Sequence, residues 1–404
     1  MNQYKLKEVT KLIKDGTHGT HLDYHGDNRV MLLSAKDITD GKLDIANDPR
    51  YISFDDFQKI HKNYSIQNED ILISLVGSIG NIAIVSNYEN QYTFQRSVGI
   101  VRADNRYVYP KYLYYIFVAP AFRKSLLKYE NKGAQGGVYL GSLSNIKISL
   151  PPLNIQSKIV SILETYDNYL ELLNKKINIK KNIKKYLMQV LLTGKIRLKG
   201  YSEGWEEKKL GDIGTTYSGL TGKTIKDFGK GKKYISYMNI YSNTSVDTNI
   251  NSYVEIGENE NQNKAKLGDI FFTTSSETPH EVGISSVLNE DIEDLYLNSF
   301  CFGFRPNKDD ILYPLFSKYY FRGTDFRKKM TRIAQGASRY NLSKKYFLDT
   351  TITYPLLPEQ QSISNILSIS DKEIEILEKK KELVLKQKKY LLNNLVTGYI
   401  EVKV

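Results

Sequence analysis

Two stretches of the chain, 155–192 and 359–396, repeat apolar residues at alternating intervals of four and three, the spacing that lays one stripe along an α-helix. In the first, the stripe runs through Leu163, Tyr166, Leu170, Leu173, Ile177, Lys180, Lys184, Leu187 and Leu191. In the second it runs through Leu367, Ser370, Ile374, Leu377, Lys381, Val384, Lys388, Leu391 and Leu395. Neither stretch contains Pro or Gly, and they stop at Thr193-Gly194 and Thr397-Gly398, where a helix is expected to end. Two long helices are predicted, each about 50 Å at 1.5 Å per residue. A short-stranded domain is not expected to bury such a stripe, so the two helices are predicted to pack on each other.

The rest of the pattern is different. DILISLVG, NIAIVSN and SVGIVRA before the first long helix, and DIFFTTSS, VGISSVLN and FCFGFRP before the second, are short β-branched or aromatic runs bounded by Gly, Asn, Pro or Ser. They read as strands. One helix per half is expected after Pro110 and after Pro314, since Pro suits the first helical turn. The predicted architecture is α+β: two mixed α/β domains in tandem pseudo-repeat, 1–150 and 199–354, followed by long helical segments 151–198 and 355–404.

The chain repeats itself. PPLNIQSKIVSIL at 151–163 matches PLLPEQQSISNIL at 355–367, and KKYLMQVLLTGKI at 184–196 matches KKYLLNNLVTGYI at 388–400, both at an offset of 204 without a gap. Upstream, Tyr109-Pro110 matches Tyr313-Pro314, Phe122-Arg123-Lys124 matches Phe326-Arg327-Lys328, Ala134-Gln135-Gly136 matches Ala334-Gln335-Gly336, and Asp70 matches Asp269. Between these anchors the halves diverge. Divergent domains on a length-locked segment suggest two related modules performing one task on two targets.

Composition narrows the task. Lys and Arg exceed Asp and Glu by twelve, and half of that surplus falls within 151–198, in the Lys175-Lys176, Lys180-Lys181 and Lys184-Lys185 pairs and their neighbours. These pairs read as a solvated helix face or as DNA or partner contacts. Cys301 is the only cysteine, which excludes disulfide frameworks and multi-cysteine metal sites and suits a reducing cytoplasm. No signal-peptide core and no eighteen-residue apolar run occurs, so a soluble cytoplasmic protein with no membrane partner is expected.

Catalytic motifs are missing where an enzyme acting on nucleic acid would carry them. Gly222-Lys223-Thr224 resembles a P-loop end, but Tyr217 stands where that motif needs glycine. Pro151-Pro152 lacks the flanking Asn or Asp and aromatic residue of an adenine methyltransferase pocket. His18, His21 and His25 lie in a Gly-broken segment and read as a surface loop rather than a metal site. Asp55-Asp56 and Asp309-Asp310 lack a lysine at nuclease-like spacing. No catalytic residue and no metal ligand is assigned.

A binding surface remains. In both halves a basic helix end (Arg123, Lys124 and Lys128; Arg327, Lys328 and Arg332) runs into a Gly-containing loop, KGAQGGVY or AQGASRYN. Lys and Arg with exposed backbone amides suit phosphate, while Gln, Asn, Ser and Arg suit base edges. The candidate DNA contacts are therefore these six residues with Gln135, Gly136, Gln335, Gly336, Ser338, Arg339 and Asn341. In the divergent parts they are Thr17, His18, Thr20 and Lys36, and Ser218, Thr221, Lys223, Tyr237 and Asn239. The competing reading is a glycine turn after an ordinary charged helix.

The tandem half-repeat, the PPL and PLLPEQQ openings of the long helices, the LLTGKI and LVTGYI exits and the WEEKKLGDIG restart at 205–214 together resemble the specificity subunits of type I restriction-modification systems along the whole chain. The resemblance implies two target-recognition domains, each followed by a helix, with the helices forming an antiparallel coiled coil. It further implies that each domain reads one half of a bipartite, asymmetric double-stranded DNA target. Two methylation subunits and two restriction subunits that translocate DNA would be partners, so S-adenosylmethionine, ATP and Mg are expected on those subunits and no cofactor on this chain. Two alternatives are open from the residues alone: a stand-alone two-domain DNA-binding regulator, and a coiled-coil scaffold without a nucleic-acid role.

Overall fold

The computed structural model describes residues 1–39, 41–45, 49–131, 136–308 and 311–402. The chain forms two compact units, one of Met1–Asn174 with Lys379–Val404 and the other of Lys175–Glu378. The two long helices, Leu153–Leu191 and Leu357–Val396, each contribute one half to each unit.

Within the first unit, an antiparallel four-stranded sheet has the order Thr10–Asp15, Val98–Ala103, Ile71–Ser74, Ile82–Ile84. A three-stranded sheet, whose strands interleave in the chain with those of the first, has the order Tyr51–Ser53, Arg29–Leu33, Tyr92–Phe94, and Asn2–Lys5 pairs with Lys147–Leu150. The second unit repeats the plan. Its four-stranded sheet runs Gly214–Ser218, Cys301–Pro306, Ile270–Thr273, Ser285–Val287. Its three-stranded sheet is Tyr253–Val254, Phe228–Ile235, Tyr296–Leu297, and Glu206–Lys209 pairs with Thr351–Tyr354. Of the apolar runs singled out from the sequence, four are the inner strands of the four-stranded sheets, and NIAIVSN and VGISSVLN supply an edge strand of each.

Two consecutive helices, rather than one, follow each Tyr-Pro: Pro110–Val118 and Pro120–Leu127, then Pro314–Tyr320 and Thr324–Ile333. Pro120 forces extended backbone on Ala119, at φ −66° and ψ 139°, and so splits the first pair. Gly323, at φ −65° and ψ 149°, splits the second.

The long helices do more than pack on each other. Ile159 and Leu163 near the start of the first helix, with Leu392, Leu395 and Val396 near the end of the second, belong to the first unit's core. Ile363 and Leu367, with Leu191 and Leu192, belong to the second unit's core. Each stripe is therefore partly buried by its own domain, contrary to the expectation from the short strands, because the domain helices present apolar faces to it. Of the seam positions, Leu163, Leu170, Leu173, Ile177, Leu191, Leu367, Ile374, Leu377, Val384 and Leu395 are buried. Leu187 and Leu391 are half-buried, and Leu392 is buried in place of Leu391.

Two polar locks explain why the repeat aligns without a gap. Buried Gln156 accepts the Tyr109 N–H at 3.0 Å and donates to the carbonyls of Tyr107 and Pro151, both at 2.9 Å. Buried Gln360 accepts from Tyr313 and donates to Ile311 and Pro355, all at 2.8 Å. Each amide uses both N–H donors and its carbonyl oxygen on backbone and fixes where the long helix leaves the domain.

The second lock engages the seam lysines Lys184 and Lys388. In the first unit Asp167 accepts the Tyr115 hydroxyl at 2.7 Å and pairs with Lys388. In the second, Asp371 accepts the Tyr319 hydroxyl at 2.7 Å and pairs with Lys184. Residue numbers on one helix rise as those on the other fall, so the helix segments in each unit are antiparallel. Lys180 pairs with Glu373 at 2.8 Å and Lys181 with Glu378 at 2.7 Å. Lys180, Lys184 and Lys388 on the seam are therefore paired with carboxylates of the facing helix segment.

Burial alone would raise the Asp371 carboxyl, but hydrogen bonds from Lys184 and Tyr319 and the charges of Lys184 and Lys318 outweigh it and hold the group below the usual carboxylate range. A carboxyl depressed in the folded state stabilises it above the unfolded carboxylate value, near pH 4, and that contribution is lost as pH falls through the lower folded value. Asp371→Asn is expected to melt at a lower temperature at pH 7 and to show a shallower loss of stability between about pH 5 and pH 2 than the parent. Equal acid profiles in thermal melts would show that the Asp371 junction does not hold the helix pair.

Candidate nucleic-acid interface

The basic helix of the second unit, Thr324–Ile333, uses its face in two ways. Arg327 turns inward and donates to the carbonyls of His280 at 2.7 Å, Val282 at 2.6 Å and Gly283. Burial, helped by the nearby Arg322 charge, pulls its guanidinium down to about 10. Arg322 is spent in the same manner on the carbonyls of Ser285, Ile240, Tyr241 and Asn243. Arg327 is thus a clamp on the 280–283 turn and not an open phosphate contact. Lys328 and Arg332 remain exposed.

Beyond that helix the chain makes a closed loop. Gln335 N–H donates to the Asn341 carbonyl at 2.9 Å and Asn341 N–H to that of Gln335 at 2.7 Å. Gly336 allows the closure: its φ is 137°, and a Cβ there would stand 2.1 Å from the Arg339 carbonyl oxygen. Tyr340–Asn341 then pairs with Ser275–Ser276, which sets the loop on the end of the sheet. Gln335, Ser338, Arg339 and Asn341 are all exposed on it.

Ser338 and Arg339 line a cleft of about 630 Å³ with Tyr237, Tyr241, Ser276 and Phe300. Tyr237 stacks on Tyr241 with ring centres 6.0 Å apart, and its hydroxyl donates to the Ser275 carbonyl at 3.3 Å. Tyr241 and Ser276 donate to Glu281 at 2.6 and 2.7 Å, and these bonds, the tyrosine's first, keep that carboxyl below its ordinary value. The cleft thus offers a cationic fork, hydroxyls, a fixed carboxylate and the exposed apolar side chains of Phe300 and Met238. Such a set can recognise base edges and a thymine methyl.

The remaining candidates are distributed as follows. Ser218 accepts a hydrogen bond from Lys344 at 2.6 Å. Thr221 is exposed, while Lys223 is only 9% exposed and paired with Glu260, so its charge is already used. Asn239 spends its amide on the backbone of Asp247 at 2.9 Å in both directions. In the first unit Arg123, Lys124, Lys128, Thr20 and Lys36 are exposed, and Gly136 is half-buried. Thr17 bonds His21 at 2.8 Å and His18 bonds Asp15 at 2.7 Å. Gln135 lies outside the described residues, as do Asp309 and Asp310. The structure brings Tyr237, Ser338 and Arg339, named from the sequence in two separate groups, to one cleft, together with Tyr241, Glu281 and Phe300, which sequence reasoning missed because their convergence depends on strand pairing that no local motif announces.

Among the described residues no three His, Cys, Asp or Glu side chains converge as a metal site, and no helix is long and apolar enough to cross a membrane. Cys301 is buried, and that burial pushes its thiol up to about 12.

The family model of the type I restriction modification DNA specificity domain matches twice, over residues 1–181 and 202–386, and the chain belongs to that family. It is 28% identical to a putative type I restriction enzyme MjaX specificity subunit of Methanocaldococcus jannaschii, across 99% of this chain and 93% of the relative. It is 29% identical to the MjaVIII specificity subunit of the same organism, across 72% of this chain and 70% of the relative. Among solved structures, the HsdS subunit from Thermoanaerobacter tengcongensis has a TM-score of 0.55 at 17% identity, covering 99% of this chain and 97% of its own. A chain from a structure on complex assembly and conformational transition of a type I R-M system has a TM-score of 0.61 at 15% identity, covering 99% and 98%. The protein is a type I restriction-modification specificity subunit with two target-recognition domains, and the mixed fold with paired long helices is that of its structural neighbours.

The two arginines of the second unit should separate in mutagenesis. Arg327→Ala is expected to destabilise the fold by roughly 3 kcal/mol, because it strips buried carbonyls of a charged donor. Arg339→Ala should leave the denaturation midpoint within experimental error and weaken specific DNA binding by about tenfold. Chemical denaturation and DNA-binding titrations check both, and a reversal of the two effects would contradict the placement.

Proposed function

We propose that each domain reads one half of a bipartite, asymmetric DNA target, and that the helix pair sets the distance between the half-sites and docks methylation subunits. The observation that carries this is the contrast within the repeat. The scaffold is duplicated to the individual hydrogen bond, at Gln156 and Gln360 and at Asp167–Lys388 and Asp371–Lys184. The exposed loops on it diverge. A duplicated frame with different reading surfaces fits a target whose two halves differ in sequence.

Docking is supported by a second stripe on the long helices. Leu172, Ile179 and Tyr186 on the first, and Ile369, Ile376, Leu383 and Tyr390 on the second, recur every seven residues and stay exposed. Apolar residues at heptad spacing on an outer face suit a further helix from another chain. On this reading the chain is the non-catalytic member of the complex, double-stranded DNA is its ligand, and methylation and restriction subunits bring S-adenosylmethionine, ATP and Mg. The lysines at 180, 181 and 184 face carboxylates, so the DNA contacts belong to the domains rather than to the helix pair.

The spacing role has a direct test. Inserting seven residues after Leu173 and seven after Leu377 preserves the 4,3 seam and lengthens the pair by roughly 10 Å, about three base pairs. Methylation mapping with the partner subunits should show both half-sites unchanged and the gap between them longer by about that amount. A changed half-site, or an unchanged gap in an active complex, would contradict the ruler.

A further inference from the structure

In each unit the first strand of the four-stranded sheet runs into a glycine pressed against neighbouring backbone. A Cβ on Gly16 would stand 2.1 Å from the Phe94 carbonyl oxygen, and one on Gly219 would stand 1.9 Å from that of Asn298. The next residues then make matching bonds, Thr17 N–H to the Phe94 carbonyl at 2.8 Å and Leu220 N–H to the Leu297 carbonyl at 2.7 Å. These glycines are therefore equivalent points of departure for a surface loop. Six residues beyond each stands a branched aliphatic side chain, Leu22 in one loop and Ile225 in the other. They are 85% and 93% exposed, the two highest values among the exposed large apolar side chains of the described residues.

Neither side chain is exposed because its loop is loose. Around Leu22, Arg50 donates to the His21 carbonyl, Tyr51 N–H to the Asp23 carboxylate at 3.0 Å, and Tyr24 N–H to the Tyr51 carbonyl at 3.1 Å. Ile225 opens a short 3-10 turn in which the Thr224 N–H and hydroxyl donate to the Asp227 carboxylate at 2.6 and 2.8 Å. Glu255 N–H ties the far end of that turn to the sheet through the Asp227 carbonyl at 2.7 Å. Single exposed aliphatics are ordinary on protein surfaces. Two of them, held out rigidly at the same place in domains whose surfaces otherwise differ, call for a common ligand.

The surroundings favour a nucleic acid. Lys226 and Lys233 stand exposed in and beside the Ile225 loop, giving it a positive rim. The loop also departs beside the cleft, since Gly219 N–H donates to the Cys301 carbonyl at 3.3 Å and that turn carries Phe300, a wall of the cleft that holds Arg339. We propose that Leu22 and Ile225 are apolar wedges, each packing into a groove of the duplex against the bases of the half-site its own domain reads. Aliphatic side chains contact thymine methyls and pry apart base steps in this way. The assignment rests on the DNA-reading role argued above and adds the element that enters the groove.

The test uses the full chain assembled with its methylation subunits, titrated with a duplex bearing the mapped target at several salt concentrations. Leu22→Ala and Ile225→Ala should each weaken specific binding by roughly tenfold or more, as expected for an aliphatic side chain that is exposed when free and buried when bound. Melting temperature should not move, and the salt dependence should keep its slope because no phosphate contact is lost. Leu22→Met should retain parental affinity. Parental binding by both alanine variants would overturn the wedge while leaving the DNA-reading role intact. Alanine variants that need higher concentrations of methylation subunits to assemble, yet bind DNA normally once assembled, would assign the loops to a protein partner and overturn it equally. A parental complex without specific binding would instead sink the DNA-reading role itself.

Discussion

The rest of the structure depends on the charged junctions where the helix pair meets a domain. Asp167 and Asp371 stand one residue past a seam position, each receiving a tyrosine hydroxyl from the domain and the ammonium of a seam lysine from the facing helix segment. A carboxylate half withdrawn from water in this way is favourable only with both partners in place, so slipping the helices by one turn would leave it without them. Leucines alone would tolerate several registers, whereas an Asp–Lys pair on a seam selects one. The junction therefore fixes where each domain stands along its helix. The buried glutamines Gln156 and Gln360 do the same at the point where the long helices begin.

This division of labour explains the distribution of similarity in the chain. Residues that hold the frame recur in both halves at a constant offset, because the frame is used twice. Residues that form the cleft around Arg339 have no such constraint and differ between the halves. Even the basic helix is split between the two roles, with Arg327 turned inward to carbonyls while Lys328 and Arg332 remain on the surface.

Much of the frame was legible in the sequence because its determinants are local or repeated. The 4,3 stripe, the Thr-Gly stops and the short apolar strands follow from periodicity, and the Tyr-Pro pairs mark the domain helices. The contribution of the long helices to the domain cores was not legible. Leu395 and Leu6, from opposite ends of the chain, belong to one core, and no pattern within either segment signals it. The candidate site was legible only in part. Gly336 could be read as a turn residue, but that its loop would bring Arg339 to the stacked Tyr237 and Tyr241 follows from the pairing of Ser275–Ser276 with Tyr340–Asn341. Lys223, Asn239 and Arg327 have the right chemistry for DNA, yet their polar groups are consumed by Glu260, by the Asp247 backbone and by the 280–283 carbonyls. Residue type predicts what a side chain can bind, and only the fold shows whether it is still free to do so.

The central claim is that two separable reading surfaces are carried on one duplicated frame. The most direct measurement is methylation mapping of a host that carries the methylation subunits and a chain whose residues 1–150 have been exchanged for the first domain of another family member. The account predicts that one half of the methylated motif changes while the other half and the gap between them stay as they were. A change in both halves, or in neither despite full methylation activity, would contradict it.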